Sequence, residues 1–283
     1  MKNLLNLFKL RIGVAIAFAA AAGIAVQGGS HPAFFRMVLL VMSVLVASAA
    51  AGAFNQYLEV DLDRRMARTQ NRPFVTGALK HGPVWLWVIG AMLAASVLAA
   101  ALATNALAAL YVFLGAFTYG VVYTAWLKRR TWWNIVVGGL AGSFAVLAGA
   151  AAVSPALGPE SIALAVVLFL WTPPHFWSLA IACRRDYAAA GVPMLPVVVG
   201  DARAARAILA SAILLVAASL VPFAFSLGWT YLVLALAGGL FFLQKCVALV
   251  RRPLRITARA AFLASLVQLC AVLLGAMLDV TLS

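Results

Sequence analysis

The chain has 283 residues, 66% of them hydrophobic and only 10% charged, whereas a soluble domain carries roughly a quarter of its residues as charges. That excludes an ordinary soluble fold and implies a protein that crosses a membrane many times. The formal net charge of +14 would point to nucleic acid in a soluble protein, but in a membrane protein basic residues collect in cytoplasmic loops, so no nucleic-acid partner is expected.

A bilayer core about 30 Å thick takes about 20 apolar residues per helical crossing, while a membrane β-barrel shows ~10-residue segments of alternating polarity. The apolar runs here are long and continuous. They predict an all-α polytopic bundle of nine transmembrane helices, over about residues 10–28, 35–58, 82–103, 105–124, 132–153, 159–182, 205–225, 228–249 and 258–280. The first run follows the basic start "MKNLLNLFKLRIGV" and is too long for a secretory leader, so it is read as the first span. No soluble domain, fixed-period repeat or low-complexity tract interrupts the series, and residues 1–283 are read as one transmembrane domain.

An odd number of spans puts the termini on opposite sides. All but Arg36 of the 21 Lys and Arg fall in the N-terminal tail or in the loops after the second, fourth, sixth and eighth spans. The positive-inside rule makes that side cytoplasmic, with the N-terminus in the cytoplasm and the C-terminus outside. The outer connections are short. Two cytoplasmic ones, about 59–81 and 183–204, are long, and long irregular connections in a compact domain usually carry function.

The first of these opens with "AFNQYLEVDLDRRMARTQNRP", which holds Glu59, Asp61 and Asp63, three of the chain's seven acidic residues. Asn55, Glu59 and Asp63 are spaced four apart, so on a helix they share a face. Like charges at that spacing repel, the more so where water is scarce, and a bound cation is expected there. Mg²⁺ suits the set, being a hard ion that takes oxygen ligands and bridges carboxylates to substrate phosphates. No His or Cys spacing favours zinc or a softer metal. Arg64, Arg68 and Arg72 follow at the same spacing, about 100° further round while the helix persists, and a metal-holding face beside an arginine face is a workable diphosphate site. The bland reading is a solvated helix end with topological arginines. Asp61 turns away from Glu59 and is read as a neighbour of the arginines.

In the next cytoplasmic patch, "TAWLKRRTWWNIVVGG", Lys128, Arg129 and Arg130 precede Asn134; a basic stop signal flanked by interfacial Trp explains it equally well. The sixth span ends in "FLWTPPHFWSLAIACRRDYAAAGVPMLPVVVGD". Pro173 and Pro174 are expected to break or kink that helix and free backbone carbonyls. His175 follows, among Trp171, Phe176 and Trp177. An ionisable residue at membrane depth is a functional candidate, the alternative being a His satisfied by a backbone carbonyl. Asp186, beside Arg184, Arg185 and Tyr187, either supplies a second metal contact or balances its arginines. Cys183, Cys246 and Cys270 are read as small core residues, and Glu160, Asp201 and Asp279 are assigned no chemistry.

"NQYLEVDLDRRMARTQNRP" resembles the first acidic motif of the UbiA superfamily of intramembrane prenyltransferases, Asn-x-x-x-Asp-x-x-x-Asp. Its tail (Met66, Arg68, Thr69 and Arg72-Pro73), "YTAWLKRRTWWNIVVGGLAG" and "WTPPHFWSLAI…DYAAAGVPMLPVVVG" are similar to the protohaem IX farnesyltransferase branch. Two positions depart from the pattern: Glu59 stands where the superfamily usually has Asp, and Ala190 replaces the second Asp of the paired pattern that other members have at Asp186.

The resemblance implies Mg²⁺ held by Asn55, Glu59, Asp63 and Asp186. It implies diphosphate charge neutralised by Arg68, Arg72, Lys128 and Arg129, with Asp186 as a second acidic contact. It also implies haem met by His175, Trp171, Trp177 and Tyr187, with His175 as an iron ligand. The implied reaction moves the farnesyl group of farnesyl diphosphate onto a vinyl group of haem B, giving the hydroxyethylfarnesyl side chain of haem O, in a bacterial plasma membrane with the site facing the cytoplasm. The implied partners are haem B, farnesyl diphosphate, the lipid bilayer, and a haem A synthase or terminal oxidase assembly factor downstream. Three alternatives stay open: a prenyltransferase for an aromatic quinone precursor, an ion-coupled transporter with repeated halves, and a non-catalytic haem-handling factor, in which the acidic stripe would have no purpose.

Overall fold

In hydrocarbon a backbone must satisfy its own hydrogen bonds, so runs of alanine, leucine and valine become helices. The computed structural model describes residues 2–30 and 32–282, and no strand occurs among them. The long helices are α1 (Leu10–Val26), α2 (Phe34–Leu58), α3 (Val84–Ala103), α4 (Ala106–Leu127), α5 (Asn134–Val153), α6 (Pro159–Ala182), α7 (Asp201–Ala224), α8 (Trp229–Arg251) and α9 (Arg255–Leu282). Among the described residues, the eight from α2 to α9 are long and apolar enough to cross a membrane, while α1 has 17 residues, a little short of the roughly 20 a crossing takes. Short helices sit ahead of α1 (Lys2–Leu7) and in the two long connections (Val60–Arg64, Pro73–Thr76, Arg184–Ala189 and Leu195–Val199).

Each long helix packs on the next, and α9 returns to contact both α6 and α1, closing the bundle. Lipid is as apolar as leucine, so helices associate by close packing of small residues. The buried core is correspondingly rich in alanine. Where α1 meets α5, a Cβ on Gly23 would lie 2.1 Å from the Val146 carbonyl oxygen, and one on Gly149 2.0 Å from that of Ala20. Only glycine permits that approach. Trp87, Leu102 and Trp229 are exposed on the outer face, as a lipid-facing surface requires.

Buried polar groups fasten the ends. The Gln27 side chain donates to the Ala156 carbonyl and accepts from Gly158 N and Ser161 Oγ, tying the end of α1 to the α5–α6 connection. Asn105 caps α4 through Ala108 N and donates to the Ala151 carbonyl on α5. Asp279 accepts from Gly228 N and Tyr231 N, so its carboxylate caps the start of α8.

Two expectations are corrected. Helix α6 is not broken at Pro173 and Pro174 but continues through both, in a turn that is buried within the packed bundle. Of the cysteines, Cys246 is buried but Cys183 is half-buried and Cys270 exposed, so only the first is a core residue.

Candidate active site

Helix α2 ends at Leu58, Glu59 forms a joint (φ −102°, ψ 16°), and Val60–Arg64 resumes the helix. Backbone bonds from Glu59 N to Asn55 O and from Asp63 N to Glu59 O carry the four-residue spacing across the joint. Asn55, Glu59 and Asp63 therefore share a face, and that face is buried: they are 2%, 1% and 0% exposed. The arginines do not continue it. The helix stops at Arg64, so Arg68 and Arg72 lie on irregular chain that doubles back and sets Arg72 Nη1 2.6 Å from Asp63 Oδ2.

The facing wall comes from α4, whose last stretch, Thr118–Leu127, is a π-helix. Lys128 N donates to Tyr123 O five residues back, and Thr124 Oγ1 donates to Tyr119 O. Such wide turns are rare and often mark functional sites. Lys128 Nζ reaches both oxygens of Glu59 at 2.6 Å, and Asn55 Nδ2 donates to Thr124 Oγ1 at 3.1 Å. The Tyr119 and Tyr123 rings stack with centroids 5.5 Å apart, and Lys128 Nζ stands 5.6 Å from the Tyr123 centroid.

A third cation enters from the N-terminus. Lys9, between Lys2–Leu7 and α1, is the one non-glycine with positive φ among the described residues (φ 48°), and its Nζ lies 2.5 Å from Asn55 Oδ1 and 3.1 Å from Tyr119 Oη. Burial holds its pKa well below the ordinary lysine value, and the nearby Arg72 charge adds to the effect. Burial raises the Asp63 pKa, against the pull of Arg72.

Asn55 and the three cations meet at a cavity of about 450 Å³; Glu59 and Asp63 lie outside its lining, paired with Lys128 and Arg72. Lys9, Asn55, Arg68, Arg72, Tyr119, Tyr123, Lys128 and Tyr187 line its polar part, and Ile12, Ile135, Phe176 and Leu179 its apolar part. A phosphorylated head with an oily tail matches that division. For a metal, the oxygens of Asn55, Glu59 and Asp63 are of the kind a hard divalent ion takes, and Asp63 Oδ1 is buried with no hydrogen-bond partner, an acceptor left over for such an ion. No three His, Cys, Asp or Glu side chains gather into a metal set among the described residues. Two carboxylates and an amide suffice for Mg²⁺, which keeps waters and takes substrate phosphates for the rest.

The other expected residues separate. Tyr187 lines the cavity, with its hydroxyl 3.4 Å from Arg68 Nη2. Arg129 clasps Asp61 through two 2.8 Å bonds at the exposed edge, outside the lining; Asp61 thus meets an arginine, but one from the Lys128–Arg130 patch and not one of Arg64, Arg68 and Arg72. Asp186 meets the Arg68 backbone N–H at 3.4 Å and does not join Glu59 and Asp63. His175, Trp171 and Trp177 are buried on α6 but off the cavity lining: the His175 ring stacks on Trp171 (4.0 Å) and Phe262 (4.5 Å), and its Nδ1 lies 2.7 Å from Ser265 Oγ. Lys9, Tyr119, Tyr123 and Thr124 are members of the site that sequence reasoning missed. Two tyrosines spaced four apart before Lys128 were a usable signal; the reach of Lys9 had none.

Residues 15–276 match the UbiA prenyltransferase family. The chain is 57% identical to Protoheme IX farnesyltransferase 2 of Paramagnetospirillum magneticum over 99% of its own length and 97% of the relative's. It is 40% identical to Protoheme IX farnesyltransferase of Hyphomonas neptunium over 96% and 89%. Among solved structures its fold is similar to a digeranylgeranylglyceryl phosphate synthase (TM-score 0.81, 17% identity, covering 100% of this chain and 99% of that one). A UbiA homolog from Archaeoglobus fulgidus bound to DMAPP and Mg²⁺ is also similar (TM-score 0.72, 18% identity, 95% and 99%).

Proposed function

The chain belongs to the UbiA prenyltransferase family, and from that premise we propose that it moves the farnesyl group of farnesyl diphosphate onto a vinyl group of haem B, forming haem O. It is a multi-pass membrane transferase. The observation that carries the reading is one cavity whose polar end is lined by Asn55, Lys9, Arg72 and Lys128, with the buried Glu59 and Asp63 paired to Lys128 and Arg72, and which opens onto apolar and aromatic walls.

In this reading Asn55, Glu59 and Asp63 hold Mg²⁺, which when bound draws charge from the diphosphate oxygens. Lys128, Arg72 and Arg68 line the cavity and take up the negative charge that grows as the carbon–oxygen bond to diphosphate breaks. The stacked Tyr119 and Tyr123 offer ring faces to the allylic cation left behind. The apolar wall keeps water away until the vinyl carbon bonds to the farnesyl carbon. One water then adds to the cationic carbon of the former vinyl group and gives up its proton to the departed diphosphate or solvent, leaving the hydroxyethylfarnesyl side chain. Asp186 and Arg129 stand at the rim, Asp186 as an acidic contact for the Arg68 loop. Haem contact is assigned to His175, Trp171, Trp177 and Tyr187; with Nδ1 bonded to Ser265, Nε2 would be the His175 nitrogen left for iron.

The basic loops support a bacterial plasma membrane location, with the site, the N-terminus and the 59–81 and 183–204 connections on the cytoplasmic side, the C-terminus outside, and one domain of nine spans. A haem A synthase or terminal oxidase assembly factor would receive the product. The test incubates membranes containing the protein with haem B, farnesyl diphosphate and Mg²⁺ and identifies the haem by mass. Haem O is expected; no farnesylated haem, but a prenylated phenol when one is offered, would replace haem by an aromatic acceptor.

A further inference from the structure

We propose that Lys9 is a diphosphate ligand held in waiting: in the free protein its ammonium sits on Asn55 Oδ1, an oxygen the metal would use, and it passes to a diphosphate oxygen when metal and substrate enter. The inference rests on the prenyl-diphosphate reading above.

Three observations carry it. The first is charge. Glu59 is matched by Lys128 and Asp63 by Arg72, each at 2.6 Å, whereas Lys9 bonds only neutral groups, Asn55 Oδ1 and Tyr119 Oη. Charges drawn from water are normally paired; Lys9 feels the Glu59 and Asp63 carboxylates but hydrogen-bonds neither, so a polyanion can claim it without breaking a direct ion pair. The second is orientation. Asn55 Nδ2 donates to Thr124 Oγ1, which itself donates to Tyr119 O, so the amide is locked with its oxygen toward Lys9. A divalent cation on Asn55 Oδ1 would repel an ammonium held at 2.5 Å from the same atom, which drives Lys9 off when metal binds.

The third is backbone. The chain takes the left-handed conformation at Lys9, and the Lys9 side chain lies over Gly52 of α2, where a Cβ would stand 3.5 Å from Lys9 Cβ and Cδ. A lysine holds that backbone only when its surroundings require it, and the result is an ammonium turned inward to the cavity. An amphipathic tail that merely anchors at the bilayer surface would let this lysine snorkel outward to water instead.

The test uses the full-length protein in detergent, with Mn²⁺ as a paramagnetic stand-in for Mg²⁺ and inorganic pyrophosphate as the anion. Binding of Mn²⁺ alone, and of pyrophosphate with Mn²⁺, is measured for the natural protein and for Lys9→Met, Lys9→Gln and Lys9→Arg. Lys9→Met should bind Mn²⁺ alone several-fold more tightly and pyrophosphate about tenfold to a hundredfold more weakly. Lys9→Gln keeps a neutral contact to Asn55 and should show the same pyrophosphate loss, so a folding defect in Lys9→Met leaves the question answerable. Lys9→Arg should stay close to the natural protein. Unchanged pyrophosphate binding in both uncharged variants overturns the role of Lys9 alone; failure of the natural protein to bind pyrophosphate or farnesyl diphosphate with Mn²⁺ overturns the diphosphate reading itself.

Discussion

Lys128 Nζ lies 2.6 Å from each oxygen of the Glu59 carboxylate, joining residues 69 positions apart in a contact where both are buried. Removing one partner of such a pair strands a buried charge at a cost of about 3–5 kcal/mol, while replacing both is much milder. Lys128→Met and Glu59→Gln should each lower Tm in detergent, and the double variant should recover part of the loss. A double variant no more stable than the worse single one would show that the two are not coupled.

Asp63→Asn keeps the shape of the side chain but removes the charge that Arg72 meets and that a metal would bind. Haem O formation is expected to fall by at least about a hundredfold, with its Mg²⁺ dependence shifted to higher concentration. Unchanged formation and unchanged Mg²⁺ titration would end the metal assignment.

His175 is stacked between Trp171 and Phe262, so its packing and its nitrogen can be separated. His175→Phe retains a ring for the stack and removes the nitrogen proposed to meet iron. The expected result is a lower yield of co-purifying haem at nearly unchanged Tm. Full haem retention together with full activity would reduce His175 to a packing role.

Arg129 holds the Asp61 carboxyl below the usual carboxylate range, chiefly by its hydrogen bonds, and both side chains are about half exposed. A depressed carboxylate pKa adds stability that is complete above the unfolded value, near pH 4, and is lost as pH falls through the lower folded value. The Tm gap between the natural protein and Asp61→Asn should therefore be small, flat from pH 7 to about 4, and close below that. A gap that widens on acidification would contradict the ion pair.

Gly149→Ala places a Cβ 2.0 Å from a backbone oxygen of α1, which cannot rotate aside. Prising α1 from α5 should cost at least about 1–3 kcal/mol and lower Tm. Gly90→Ala on α3, where nothing lies within 4 Å of the new Cβ, should not.

Much of this was legible in the chain itself. Apolar runs near bilayer length allow little but helices, and the four-residue period of Asn55, Glu59 and Asp63 survives on one face even though the helix is jointed at Glu59. How far the helix persists toward Arg68 and Arg72 was left open, because local spacing cannot tell that it stops at Arg64 and that the chain doubles back. Pro173 and Pro174 were expected to break or kink α6, and the break does not occur, because sequence shows the lost N–H groups but not the buried neighbours that stabilise the helix around them.

Composition and period thus determined that the protein is a helical membrane bundle and which residues form its acidic stripe, since burial in lipid and the pitch of a helix are local demands. Only the tertiary structure decided which cation each of those oxygens meets. Lys128 reaches Glu59 because a π-helix turns it there, and Lys9 reaches Asn55 because one left-handed residue turns the chain inward over Gly52. Those partners are 69 and 46 positions apart, a distance across which only packing can specify a contact.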